Sequence, residues 1–209
     1  MEIIEQLGLA LGFASLAGLN LYLTVFLAGI AVRFQWVELA EQHMALATLG
    51  NDWVLGVAGV LFLIEFFADK VPWVDSTWDS IHTVIRPAGG IMLALAALGK
   101  MDPSITVIAA MLAGGTSLLT HSAKAGMRLV TNLIPEPTTN TATSVGASVA
   151  EDTIVIGGLS LMALNPAIAF FAFLALVIFA LFLSRFAYSQ LKKVGASCKQ
   201  LCKRLKWAG

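Results

Sequence analysis

The chain has 209 residues, of which 58% are hydrophobic and 12% are charged, and its formal net charge is zero. Soluble domains carry about 25% charged residues, so half that share together with a mean hydropathy of +0.83 excludes an ordinary soluble domain. The length suits one helix bundle, and the balanced charge gives no reason to expect a nucleic-acid partner. We expect a single all-α domain whose main partner is the lipid bilayer.

Runs of about 20 mostly apolar residues, the length that crosses a bilayer, recur along the chain. About six spans are predicted, several of them short or broken, and the last contains an uninterrupted apolar run over residues 169–183. An amphipathic segment from Pro72 leads into the third. The predicted spans cover residues 3–34, 53–68, 87–98, 103–133, 143–164 and 166–191.

Two interruptions stand out. Residues 134–140 hold two prolines in a polar run, which predicts a loop or a re-entrant segment. Gly18-Leu19-Asn20 lies inside the first span, where a helix break would free backbone carbonyls for a solute or ion. Hydrogen bonding of Asn20 to a neighbouring helix is the alternative.

Basic residues are concentrated at the C-terminus. The positive-inside rule places this end in the cytoplasm, and six spans then place the N-terminus there too. We expect one transmembrane domain over residues 1–191 and a basic cytoplasmic tail over residues 192–209. The tail holds Lys192, Lys193, Lys199, Lys203, Arg204 and Lys206.

Two halves of three spans each would be inverted relative to one another, as in many transporters. Small-residue pairs at 17–18 and 28–29 match pairs at 114–115 and 125–126 in spacing, and Glu65 and Glu151 each precede a proline-started span. Gly and Ala are common in membrane helices anyway, so an inverted three-helix repeat is left open.

Among the acidic residues within or beside the apolar runs, four are candidate functional residues. Charges in a bilayer usually face a bundle interior or a water-filled route, which makes each one a candidate functional residue. Glu65 lies deep in an apolar run with Asp69 one turn further on, and Glu151 and Asp152 are flanked by small residues. They predict a proton or cation site. The alternatives are a rim position for Glu65, paired with Lys70 or Arg86, and a structural ion pair of Glu151 with Lys124 or Arg128.

The fourth span carries a polar stripe. Ser117, His121, Lys124 and Arg128 follow the spacing 0, 4, 7, 11, which places them on one face of a helix. Such a stripe in a membrane helix predicts a polar lining, and the alternative is that this half of the helix projects from the membrane.

The same spacing recurs in Asp75, Asp79, His82 and Arg86. Asp75, Asp79 and His82 on successive turns are candidate ligands for a divalent metal. The alternative is an amphipathic helix with a salt-bridged face toward water, with tryptophans at the membrane interface. The sequence contains no HExxH, GxSxG, P-loop or GxGxxG motif, so enzymatic activity is less favoured.

The stretch FFADKVPWVDSTWDSIHTVIRPAGG, with the earlier GLNLYLTV, resembles the bacterial membrane family known as domain of unknown function 4126. The resemblance covers nearly the whole chain. It implies the bacterial inner membrane as the location, and it brings no assigned activity, cofactor or catalytic residue.

These observations predict a transporter or channel that passes a small solute or ion along a polar route. Its candidate residues are Asn20, Glu65, Asp69, His121, Lys124, Arg128, Glu151 and Asp152. The alternatives are an integral-membrane enzyme or lipid-handling protein acting at cytoplasmic headgroups, and a structural scaffold. The sequence does not determine the cofactor, and a homo-oligomer is a further expectation.

Overall fold

The computed structural model describes residues 2–37, 39, 41–71, 73–133 and 137–207; the side chains of residues 2, 41–42, 137–141 and 198–207 are not described. The described elements are all helical. They are α1 (Glu2–Arg33), a 3₁₀ helix (Glu41–Gly50), α2 (Asp52–Ala68), α3 (Val74–Leu98), α4 (Pro103–Asn132), α5 (Pro137–Leu164) and α6 (Pro166–Trp207).

Five of these helices, α1, α3, α4, α5 and α6, are long and apolar enough to cross a membrane. Helix α2 has 17 residues and meets that criterion only together with the 3₁₀ helix, from which it is bent by 71°. Large apolar side chains cover the outward faces, among them Trp53, Val84, Met111 and Leu164. Such a surface suits lipid rather than water, so the protein is an all-α polytopic membrane protein.

Several helix starts follow local signals. Asp102 caps α4 by accepting a hydrogen bond from the Ser104 backbone N–H at 2.8 Å, and Pro103 is the first helical residue, as the sequence predicts. The predicted loop over residues 134–140 is wrong in its second half, because α5 already begins at Pro137, where a proline fits the first turn. Residues 134–136 lie outside the described residues.

The third span also begins earlier than predicted. Helix α3 runs unbroken from Val74 through Pro87, so the amphipathic lead-in and the apolar span form one helix. Its buried residues recur every three to four positions on both sides of the proline, and this continuous packing outweighs the lost backbone hydrogen bond. Helix α6 likewise continues past residue 191, so the division into domain and tail stays a prediction.

Helix α1 lies at the centre and contacts every other helix of the described chain. Small residues allow this, because a Cβ atom at Gly18 would overlap the Thr120 side chain and the Ser117 carbonyl on α4. Helices α1 and α4 contact each other, and each also contacts both α3 and α6. An inverted three-helix repeat would produce this arrangement of four helices. Helices α2 and α5 do not follow it among the described residues, because α5 packs against α1 to a greater extent than α2 packs against α4, and the repeat itself stays a prediction.

Candidate functional site

Helix α1 is interrupted at Asn20, whose backbone is extended (φ −148°, ψ 96°). The Asn20 side chain accepts a hydrogen bond from the Leu23 backbone N–H at 3.0 Å, as a capping residue does at a helix start. Its Nδ2 also donates to Asp152 on α5 at 3.0 Å. The predicted break is therefore present together with the interhelical hydrogen bond that was its alternative.

The carbonyls at this break bind Arg86 of α3. Arg86 Nη1 donates to the carbonyls of Gly18 at 3.0 Å and Leu19 at 2.8 Å, and Nη2 pairs with Glu65 of α2. The Arg86 and Glu65 side chains are completely buried. Carbonyls at the end of a helical segment carry partial negative charge and so stabilise a guanidinium group. Arg86 is one of the two partners that the alternative interpretation of Glu65 offered, and it pairs with Glu65 inside the protein.

Lys124 of α4 occupies the centre of the site. Its Nζ donates to the Leu19 carbonyl at 3.0 Å and lies 2.9 Å from Glu151 of α5. It also lies 3.4 Å from carboxylate oxygens of both Glu65 and Asp69. One buried ammonium group therefore joins α1, α2, α4 and α5.

Arg128, one turn further along α4, completes this connection. It donates to both oxygens of Asp69 at 2.6 and 2.7 Å, a bidentate geometry, and its Nη2 lies 2.9 Å from Glu151. Asp69 lies just beyond the end of α2. Burial alone would raise the pKa of its carboxyl, but Lys124 and Arg128 outweigh burial and hold that pKa well below its usual range. Asp69 is therefore a charged anchor near neutral pH.

Asp79 of α3 is the most weakly paired acid. Its side chain is 2% exposed, and its nearest cations are Arg86 at 3.6 Å and Arg128 at 3.7 Å. Neither of its carboxylate oxygens has a hydrogen-bond donor among the described residues. We call the paired side chains the ionic network: the carboxylates are Glu65, Asp69, Asp79 and Glu151, and the cations are Arg86, Lys124 and Arg128.

Two histidines border this network. Arg86 Nη1 lies 3.1 Å from His121 Nδ1 and can only donate, so Nδ1 accepts, and His121 is neutral with its proton on Nε2. That nitrogen lies 2.9 Å from the Asp79 carbonyl. His82 Nδ1 lies 2.8 Å from the Trp78 carbonyl and Nε2 lies 2.9 Å from the Tyr22 hydroxyl. Both rings thus help to position α3 against its neighbours.

The candidate metal ligands have separate partners. Asp75 accepts hydrogen bonds from the Trp73 backbone N–H and from Asn132 Nδ2, both at 3.1 Å, which ties the start of α3 to the end of α4. Asp79 faces the arginines, and His82 faces Tyr22 and Trp78. Within the described ranges, no group of three or more acidic, histidine or cysteine side chains is placed to hold a metal ion.

The polar face of α3 points inward, contrary to the salt-bridged face toward water considered from the sequence. Asp75, Asp79 and His82 are buried, whereas the apolar side chains of the same segment are exposed, among them Ile81 and Val84. The stripe on α4 also faces inward, and Ser117, Lys124 and Arg128 are all buried. In a membrane the outside is apolar, so an amphipathic helix turns its charges toward the protein.

Sequence reasoning offered Arg86 as a partner of Glu65 but missed its contact with the α1 break, and it also missed the contributions of Asn132 and Trp78. The spacing of Arg86 in the α3 stripe was the available signal, because four positions on one face should share one environment. Asn132 continues the α4 stripe one turn beyond Arg128 and could have been found in the same way.

The fold and site define a polytopic membrane protein with a buried ionic network beside a broken central helix. A family model named "Domain of unknown function (DUF4126)" matches residues 7–186, so the chain belongs to that family. Neither the comparison with curated proteins nor that with solved structures found a match.

Proposed function

We propose that this protein transports a small solute or ion across the membrane along a route that includes the ionic network. The observation that carries the proposal is the meeting of a broken helix with buried charge: the Leu19 carbonyl at the α1 break contacts both Arg86 and Lys124. Broken membrane helices whose exposed carbonyls line a polar site are typical of transporter binding sites.

The cost of burying these charges supports a functional role. Desolvation makes a buried ion pair a weak source of stability, and apolar side chains of similar volume often serve as well. A network of four carboxylates and three cations is therefore an inefficient way to hold helices together. Exchange of a proton at Glu65 or Glu151 would give transport a coupling step.

A scaffold is the second candidate, and one observation favours it. Each cation of the network has a carboxylate partner at 2.9 Å or closer, so the network could simply cross-link α2, α3, α4 and α5. The lipid-handling alternative has less support, because Asp75, Asp79 and His82 are buried and do not form an exposed surface at headgroup depth.

Experiments on the purified protein distinguish the transporter from the scaffold. A thermal-shift screen of small ions and solutes should find a ligand that raises the melting temperature, because ligands that bind only the folded state stabilise it. The same ligand, or protons driven by an imposed membrane potential, should cross proteoliposome membranes faster than protein-free ones. If neither a stabilising ligand nor a protein-dependent flux is found, the scaffold replaces the transporter.

We also propose that both termini face the cytoplasm, on the strength of the basic residues at 192–206 and their scarcity in the opposite loops. Reporter fusions after Gly209 should then read cytoplasmic, and fusions near Gln42 external. The reverse pattern would contradict this orientation.

A further inference from the structure

Four oxygen atoms surround the Lys124 ammonium group. They are the Leu19 carbonyl at 3.0 Å, a Glu151 oxygen at 2.9 Å, and oxygens of Glu65 and Asp69 at 3.4 Å each. The carbonyl comes from the break in α1, and the carboxylates come from α2, α5 and the residue that follows α2. We call these four oxygens the oxygen shell.

The spacing of the oxygen shell around the Lys124 ammonium group limits the cations that could replace it. Mg²⁺ binds oxygen at about 2.0–2.1 Å and Ca²⁺ at about 2.3–2.6 Å, so this shell is too wide for either. Distances of 2.9–3.4 Å suit an ammonium group that donates hydrogen bonds to its ligands. Because these distances are those of the Lys124 ammonium group itself, a cation that takes its place would have to be of similar size.

The charge balance independently indicates a further cation. The ionic network has four carboxylates and three cations among the described residues, one negative charge in excess if all are ionised. Glu65 Oε2 and both carboxylate oxygens of Asp79 are buried without a hydrogen-bond donor in the same part of the chain. Buried carboxylate oxygens of this kind are stabilised by a further hydrogen-bond donor, a proton or a cation.

Lys124 can leave the oxygen shell without dismantling it. Its ammonium group is carried on a flexible four-carbon stem from α4, and α4 contributes no oxygen to the shell. Rotation of this one side chain would leave four oxygens in place. Each of them also contacts Arg86 or Arg128, which helps to hold it in position.

We propose that the oxygen shell is a binding site for an ammonium-sized monovalent cation, such as ammonium, a primary amine or a potassium ion, and that Lys124 occupies it between binding events. This assignment rests on the proposed transport function and names its substrate class. The competing cation would displace the Lys124 ammonium group toward the unpartnered oxygens of Asp79.

Chemical rescue tests the oxygen shell directly. Full-length Lys124→Ala in choline chloride should melt well below the native protein, and ammonium or methylammonium chloride at equal ionic strength should restore at least about half of that loss. Lys100→Ala removes an exposed loop lysine as the matched control and should melt like the native protein in every salt. If ammonium and methylammonium raise the melting temperature of Lys124→Ala no more than choline does, the assignment is overturned.

Uptake by the native protein covers the case in which Lys124→Ala does not fold. Proteoliposomes should take up radiolabelled methylammonium or rubidium saturably, above protein-free vesicles and without competition from choline. Glu151→Gln should raise the half-saturating concentration about tenfold, as expected for one lost charge-assisted hydrogen bond. Absence of such uptake overturns the assignment, and uptake of a different solute would retain transport while removing this substrate class.

Discussion

Helices α3 and α4 each bury two different kinds of side chain along one continuous face. The first half of α3 buries Asp75, Asp79, His82 and Arg86, and its second half buries Leu93, Ala94, Ala97 and Leu98. Helix α4 has the opposite order, with Ala113 near its start and Lys124, Arg128 and Asn132 toward its end. The charged halves contact each other, and so do the apolar halves, where Ala94 and Leu98 pack with Ala113.

The same helical spacing of buried residues brings α3 and α4 together in both halves, but different interactions stabilise the contact in each half. In the apolar half, lipid is as apolar as the protein interior, so dispersion and close fit hold the helices together. In the charged half, every charge depends on partners from other helices, and removal of one partner leaves another charge buried. Substitutions should therefore be costlier and less additive in the charged half.

The largest expected effect is at Arg86. Arg86→Met removes the cation that pairs with Glu65 and fills the α1 break, and we expect a loss of about 3–5 kcal/mol in the free energy of unfolding. Leu98→Ala in the apolar half, also buried, should cost about 2 kcal/mol, the low end for such truncations. Equilibrium unfolding in mixed detergent measures both. Equal losses would show that the two halves do not differ in this way.

A smaller effect is expected at Gly18 of α1, which lies against the middle of α4, between the apolar and the charged half of that helix. Gly18→Val places a side chain against Thr120 and the Ser117 carbonyl, so α1 and α4 must separate, at a cost of about 1–3 kcal/mol. Gly115→Val is the matched control on α4, because a Cβ atom there has no neighbour within 4 Å. Thermal melts of the two variants should differ clearly. A similar melting temperature for both would contradict the close α1–α4 approach.

The smallest effect is expected at Ser117, whose Oγ donates to the Arg86 carbonyl at 2.9 Å. Ser117→Ala removes one neutral hydrogen bond and should cost about 1 kcal/mol. In the Arg86→Met background the same change should cost less if Ser117 serves mainly to position Arg86. A double-mutant cycle measures this coupling, and full additivity would separate Ser117 from the network.

The sequence predicted most of the helices and most of the network members, because apolar run length and helical spacing are local properties. The stripe on α4 illustrates this, since its spacing alone placed His121, Lys124 and Arg128 on one face. The direction of the polar face of α3 was less predictable. A helix with one polar and one apolar face turns the polar face outward in water and inward in lipid. The sequence pattern alone does not tell which of the two surrounds the helix.

Partner choice was beyond sequence reasoning for a different reason. Glu65 could pair with Lys70 or Arg86, and only the packing of α2 against α1 and α3 selects Arg86. Lys70 instead donates to the Phe66 carbonyl at 2.9 Å and lies over the Phe66 ring. The metal interpretation had the same weakness, because shared helical spacing placed Asp75, Asp79 and His82 on one face without fixing where their atoms point.

The most direct test of a functional network is the paired measurement of stability and transport in Glu65→Gln and Glu151→Gln. A glutamine keeps the shape and some hydrogen bonds of each residue but exchanges no proton, and Glu5→Gln is the matched control outside the network. The transport account predicts that the molecules of both variants that do fold carry less flux at low solute concentration and lose its pH dependence, even if both variants melt at lower temperatures because a buried cation has lost a partner. Lower melting temperatures with unchanged flux per folded molecule would contradict it and establish the carboxylates as structural partners of Lys124 and Arg128.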